Sequence, residues 1–192
     1  IIGLRCVLLR LKENGLTNLK INKKRFIYLI SPNKIYKDFY KNLRLVLNTN
    51  RLSFFQMRLK KYSFKQKITI GKKIKKICSD KNVKFLVNDE PWLAKKLNAD
   101  GCHLGQKDMN IKEARRIIGN KIIGVTCHNS IRLAKFAIKS KATYLAFGAF
   151  NVTKTKKTKY RATTKILNKV NKMTNIPIVA IGGINSSNYK NL

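Results

Sequence analysis

A chain of 192 residues is long enough for one well-packed domain, and its 44% hydrophobic content excludes a disordered polycation. The 43 Lys and Arg against 8 Asp and Glu leave a net charge of +35, which points to an anionic partner, either nucleic acid or a multiply charged phosphate compound. The cations are scattered along the whole length, with no Arg-rich block and no interleaved aromatic stacking motif, which weighs against a specific nucleic-acid binder and leaves much of the charge as solvated surface.

Residues 1 to 25 read as a basic, partly helical N-terminal extension of unknown role. Their apolar stretch is interrupted by Arg5 and Arg10 and is too short to span a bilayer, so no membrane segment is expected. From 26 to 192, short apolar runs alternate with segments whose apolar residues recur every three or four positions. Strands are expected at 26 to 31, 53 to 59, 84 to 88, 101 to 105, 122 to 126, 144 to 148 and 176 to 181. Helices are expected at 36 to 47, 64 to 78, 90 to 97, 111 to 118, 131 to 139 and 163 to 173.

Such repeated strand-helix units predict an α/β fold with parallel strands and right-handed crossovers. No G-x-G-x-x-G follows an early strand, which disfavours an open dinucleotide-binding sheet and favours a TIM-type (β/α)8 barrel. Seven units fall one short of closure, so the barrel over 26 to 192 is expected to be truncated after the seventh strand, its eighth strand and helix lying beyond Leu192. The first residue is not Met and the last follows a turn-like Asn185-Ser186-Ser187-Asn188, so both ends read as fragment boundaries.

Cys6, Cys78, Cys102 and Cys127 stand far apart with no C-x-x-C pair and no signal peptide, which predicts a reduced, cytoplasmic protein. The adjacent pairs Cys102-His103 and Cys127-His128 are poor zinc ligands, because neighbours on a strand face opposite ways. His103 reads as a barrel-packing residue and His128 as a loop residue that orients something nearby.

In a parallel barrel the chemistry lies where the strands end. Beyond the second of the seven expected strands, alternation puts Gln56, Arg58 and Lys60 on one face and Met57 and Leu59 on the other, a cationic face suited to a diphosphate. Asn88-Asp89-Glu90 and Gly105-Gln106-Lys107-Asp108 end the next two. Asp89 and Asp108, taken singly, read as helix caps. Together, in a chain with so few acids and beside that cationic face, they favour Mg²⁺ held with the phosphates of a substrate. Further along come Thr126 at the fifth strand, the hydroxyl-rich cationic loop of Thr153, Lys154, Thr155 and Lys156, and Gly182-Gly183 after the seventh. That loop could hold a phosphate monoester or be merely solvated. The glycines could admit an anion to backbone N–H groups or form only a tight turn.

Read in order, these strand ends resemble the thiamine-phosphate synthase family. The resemblance runs from about residue 26 to Leu192 and rests on Q-x-R-x-K at Gln56, Arg58 and Lys60, F-L-V-N-D ending at Asp89, A-D-G-C-H-L-G-Q-K-D ending at Asp108, T-K-T-K at Thr153 to Lys156, and I-P-I-V-A-I-G-G-I ending at Ile184. It implies that Gln56, Arg58, Lys60, Asn88, Thr126 and Lys156 hold a hydroxymethylpyrimidine diphosphate, that Asp89 and Asp108 hold Mg²⁺, and that Thr153, Thr155 and Gly183 hold a thiazole phosphate. It further implies loss of pyrophosphate to leave a pyrimidine-methyl cation, captured by the thiazole nitrogen, with Arg58, Lys60 and Lys156 neutralising the departing charge. Glu90 departs from the family's usual Arg, and Ala149 and Val152 from its usual prolines.

Two alternatives differ in kind. A thiazole tautomerase of the same family typically lacks the N-D and G-Q-x-D acids, both kept here. A basic nucleic-acid-binding module on a barrel scaffold would show tight, sequence-selective binding at high salt. Small phosphorylated substrates are therefore the partners expected, with no specific nucleic acid and no membrane.

Overall fold

In the computed structural model the described residues are 5–10, 27–152 and 159–192. The strands are β1 (Arg5–Arg10), β2 (Ile27–Ile30), β3 (Leu52–Met57), β4 (Lys84–Asn88), β5 (Gly101–Leu104), β6 (Ile122–His128), β7 (Tyr144–Phe147) and β8 (Ile178–Ala180). The helices are α1 (Phe39–Leu47), α2 (Phe64–Ser79), α3 (Pro91–Lys96), α4 (Ile111–Ile118), α5 (Ile131–Lys139) and α6 (Thr164–Met173), and a 3-10 turn (Tyr189–Asn191) follows.

The seven expected strands are β2 to β8, each parallel to its neighbour and alternating with helices. What closes the ring differs from expectation. β1 lies between β2 and β8, antiparallel to both, and so fills the gap from the N-terminal side. Part of the segment read as a partly helical extension is therefore a barrel strand, whose pairing satisfies backbone groups that β2 and β8 would otherwise leave open.

Strands β3, β5 and β7 are buried along their whole length, as a sheet covered on one face by helices and closed on itself requires. Alternation divides their side chains between two cores. Leu29, Phe55, Met57, Phe85, Val87, Cys102, Ile123, Val125 and Leu145 face the helices. Tyr28, Ile30, Phe54, Leu86, Tyr144, Ala146 and Val179 fill the barrel. Local capping fixes the helix starts: Ser63 and Gln66 form a reciprocal capping box at α2, and Asn110 and Ser130 cap α4 and α5. The expected strand through Leu59 stops at Met57, because the Arg58 N–H donates to Ser31 Oγ at 2.9 Å and leaves the ladder. No helix among the described residues is long and apolar enough to cross a membrane.

Candidate active site

The C-terminal ends of β3, β4, β5 and β6 bring most of the predicted residues to one mouth. Gln56 is buried at the end of β3, and its Nε2 donates to Asn88 Oδ1 on β4 at 3.2 Å. Arg58 lies just beyond β3, its guanidinium donating to Asn33 Oδ1 at 2.8 Å. Met57 and Leu59 pack into the outer core, so the alternation read from the sequence holds past the end of the strand. Lys60 completes the row, with Nζ 2.9 Å from Asp89 Oδ2.

Asp89 occupies a left-handed backbone position, φ 63°, one that Asp tolerates better than most residues. Its N–H donates to the His103 carbonyl at 2.8 Å, and the next N–H, of Glu90, returns to the Asn88 carbonyl at 2.9 Å. This tight turn lets the Asp89 carboxylate meet both Lys60 and Asp108. Neither acid is the helix cap that it resembles in sequence. Glu90 occupies the N-cap of α3, and Asn110 caps α4. Asp108 instead accepts the Gly105 N–H at 2.7 Å, folding the loop after β5 back on itself. Glu90 pairs with Lys67 of α2 at 2.5 Å.

The two carboxyls titrate together. Burial pushes Asp89 up, but hydrogen bonds with Lys60 and Asp108 outweigh it and hold its pKa below the ordinary value. Burial also pushes Asp108 up, and there the bond to Asp89 and its negative charge add to the rise. Asp89 thus favours its charged form and Asp108 its protonated one.

Beneath this rim, a chain of polar side chains runs into the barrel. Thr126 Oγ1 on β6 lies 2.8 Å from His103 Nε2 on β5, and His103 Nδ1 lies 2.8 Å from the Tyr144 hydroxyl on β7. The Tyr144 hydroxyl in turn lies 2.8 Å from that of Tyr28 on β2. Gly124 makes this possible, since a Cβ there would sit 1.8 Å from Tyr144 Cζ. His103 is therefore more than a packing residue. Cys102, its neighbour, is buried on the opposite face, its thiol pushed up to about 12 by burial.

Thr153, Thr155 and Lys156 lie outside the described residues. The described residues on either side are tied together by paired backbone bonds, Ala149 N–H to Tyr160 O at 3.2 Å and Ala162 N–H to Ala149 O at 2.9 Å. Gly182 and Gly183 adopt φ of 99° and 66° and press against residues 149 to 152. A Cβ at Gly183 would stand 2.6 Å from the Val152 carbonyl oxygen, so these glycines serve both a turn and a close approach. His128 stacks on Tyr160, ring centroids 4.1 Å apart.

A family model described as thiamine monophosphate synthase matches residues 27–192. The chain belongs to this family. Among curated relatives, it is 66% identical over 174 residues to the thiamine-phosphate synthase of Pelagibacter ubique (strain HTCC1062), covering 90% of this chain and 84% of that one. It is 40% identical over 171 residues to that of Erythrobacter litoralis (strain HTCC2594), covering 86% and 80%. The solved thiamine phosphate pyrophosphorylase of Pyrococcus furiosus superposes with a TM-score of 0.71 at 32% identity, covering 79% of this chain and 72% of that one.

Sequence reasoning missed Ser31 and Asn33, which hold Arg58, and the two barrel tyrosines. The sequence carried one usable signal for the tyrosines. Tyr28 and Tyr144 sit within apolar strands where a hydroxyl must find a partner.

Proposed function

We propose that this chain joins hydroxymethylpyrimidine diphosphate to thiazole phosphate, giving thiamine phosphate and pyrophosphate, with Mg²⁺ held by Asp89 and Asp108. The observation that carries the reading is the meeting of an acid pair with cations at one rim, with Lys60 2.9 Å from Asp89. The relatives named as synthases support the same activity.

The donor set fits a hard divalent ion. Among the described residues no group of three or more His, Cys, Asp or Glu could hold a metal by itself. Two neighbouring carboxyl groups beside a cationic rim suit an ion completed by water and substrate phosphate oxygens, the habit of Mg²⁺. When bound, the ion would supply charge neutralisation at the diphosphate.

The chain's own residues do the rest. Gln56 and Asn88 offer paired amides, Thr126 a hydroxyl, and Arg58, Lys60 and Lys156 cations for the diphosphate. Thr153, Thr155 and Gly183 receive the thiazole phosphate. The bond between the pyrimidine methylene carbon and the diphosphate oxygen breaks with its electron pair leaving on the diphosphate. The thiazole nitrogen lone pair then forms the new C–N bond. No side-chain base or nucleophile takes part, so catalysis consists of placement and stabilisation of the leaving charge. The buried free thiols Cys78, Cys102 and Cys127 support a reducing, cytoplasmic setting.

The test is the coupling assay on this chain. Product should form only with Mg²⁺, and Asp89→Ala and Asp108→Ala should each abolish turnover with the circular dichroism spectrum unchanged. Full activity in both variants would refute the metal assignment.

A further inference from the structure

The polar chain inside the barrel has two ends of different character. At one, Thr126 is partly exposed at the mouth. At the other, Tyr28 is 2% exposed and, among the described residues, its hydroxyl bonds only that of Tyr144. This asymmetry decides which way the hydrogens run.

Suppose that Tyr28 donates to the Tyr144 oxygen. Tyr144 then donates to His103 Nδ1, His103 Nε2–H donates to Thr126 Oγ1, and the Thr126 hydrogen is left for an acceptor outside the chain. Every buried hydrogen has a partner. Reverse the order, with His103 protonated on Nδ1 and donating to the Tyr144 oxygen, and one of the two tyrosine hydrogens is left with no acceptor among the described residues. A doubly protonated ring strands one too. An orphaned buried donor disfavours either arrangement by roughly tenfold or more.

We infer that Tyr28, Tyr144 and His103 are positioning residues which hold His103 as its Nε2–H tautomer and thereby commit the Thr126 hydroxyl to donating at the barrel mouth. A ligand seated there must present a lone pair and not a hydrogen, which selects an unprotonated ring nitrogen of the pyrimidine over its amino group. The substrate half of the inference rests on the proposed synthase activity, whereas the tautomer half stands on the ligand-free protein.

Gly124 supports the assignment of purpose. Its missing side chain leaves space for Tyr144 Cζ and hydroxyl, so that this ring can bridge β2 and β5. The same strand supplies Thr126 two residues later, on the same face.

Long-range ¹H–¹⁵N correlation spectra of the ligand-free chain read the tautomer directly. The sequence holds only 2 His, so His128→Asn assigns both. His103 should show the Nε2–H pattern in the wild type. Tyr28→Phe should keep it, because Tyr144 becomes the buried end and still donates to Nδ1. Tyr144→Phe removes that donor and should shift the Nδ1 resonance toward a mixture of tautomers. An Nδ1–H or doubly protonated His103 in the wild type overturns the inference.

Kinetics test the ligand half. Thr126→Val should raise KM for the pyrimidine diphosphate roughly three- to tenfold, leave KM for the thiazole phosphate in place, and be rescued by Thr126→Ser. Tyr144→Phe should move KM in the same direction for the pyrimidine substrate alone. An Nε2–H ring combined with unchanged KM in Thr126→Val overturns the substrate half. Absence of any coupling by the wild type removes the synthase reading and that half with it, and leaves the tautomer result intact.

Discussion

Asp108→Asn should make the folded chain more stable at neutral pH while removing synthase activity. Asp89 opposes the ionisation of Asp108, and above the raised pKa of Asp108 the pair must carry a second negative charge. At an effective dielectric of about 20, two unit charges about 4 Å apart repel by roughly 4 kcal/mol. Solvent relaxation removes most of this, and Lys60, whose side chain is 55% exposed, returns about 1 kcal/mol or less. A net gain of about 1 kcal/mol for the variant follows, in the range found when a functional site is relieved of its own repulsion. The asparagine carbonyl can still accept the Gly105 N–H.

The pH dependence separates this cause from others. The folded chain holds the Asp108 proton more tightly than the unfolded chain does. Its contribution to stability is therefore full below the ordinary carboxylate pKa and is lost as pH rises through the raised value. Asp89 acts oppositely, contributing above the ordinary value and losing that contribution as pH falls through its depressed one. The wild type should thus weaken relative to Asp108→Asn as pH rises from the ordinary carboxylate pKa, about 4, through the raised value of Asp108. Urea unfolding of both proteins in metal-free buffer measures the gap at each pH. A gap that stays constant, or an asparagine variant that is less stable at the higher pH, would refute this account of mutual repulsion.

Three other outcomes are expected. Gly124→Ala puts a methyl group 1.8 Å from Tyr144 Cζ, and overpacking of this kind costs about 1–3 kcal/mol, read as a lower urea midpoint. Arg58→Lys keeps the charge but loses the planar fork and its bond to Asn33, and should raise KM for the diphosphate substrate about tenfold with little change in stability. Mg²⁺ and inorganic pyrophosphate added together should raise Tm by more than either does alone, and Asp89→Ala should abolish the difference, as a differential scanning measurement would show.

Local rules explain why so much of this fold was legible in sequence. The 84 to 88 strand and the 111 to 118 and 131 to 139 helices carry their own periodicity, and the caps at Asn110 and Ser130 mark where the two helices begin. Gln56, Arg58 and Lys60 could be placed on one face because alternation continues from β3 into the loop beyond it. Closure of the ring was a different problem. β1 finds its place through backbone pairing with β8, whose Val179 lies 170 residues away from Leu9 in the chain, and no local pattern states such a partner.

The same distinction governs the site. Asp89 and Asp108 each carried a local meaning, a helix cap, that the structure replaces with a mutual one, because the turn at Asp89 and the Gly105 bond bring the acids together. Tyr28 and Tyr144 are 116 positions apart, and each by itself is only an aromatic residue in an apolar strand. Their meaning lies in order: a buried hydroxyl that must donate has one acceptor, that acceptor has one further choice, and the choice is passed through His103 to Thr126. The apolar end of the barrel can in this way dictate hydrogen-bond polarity at its mouth.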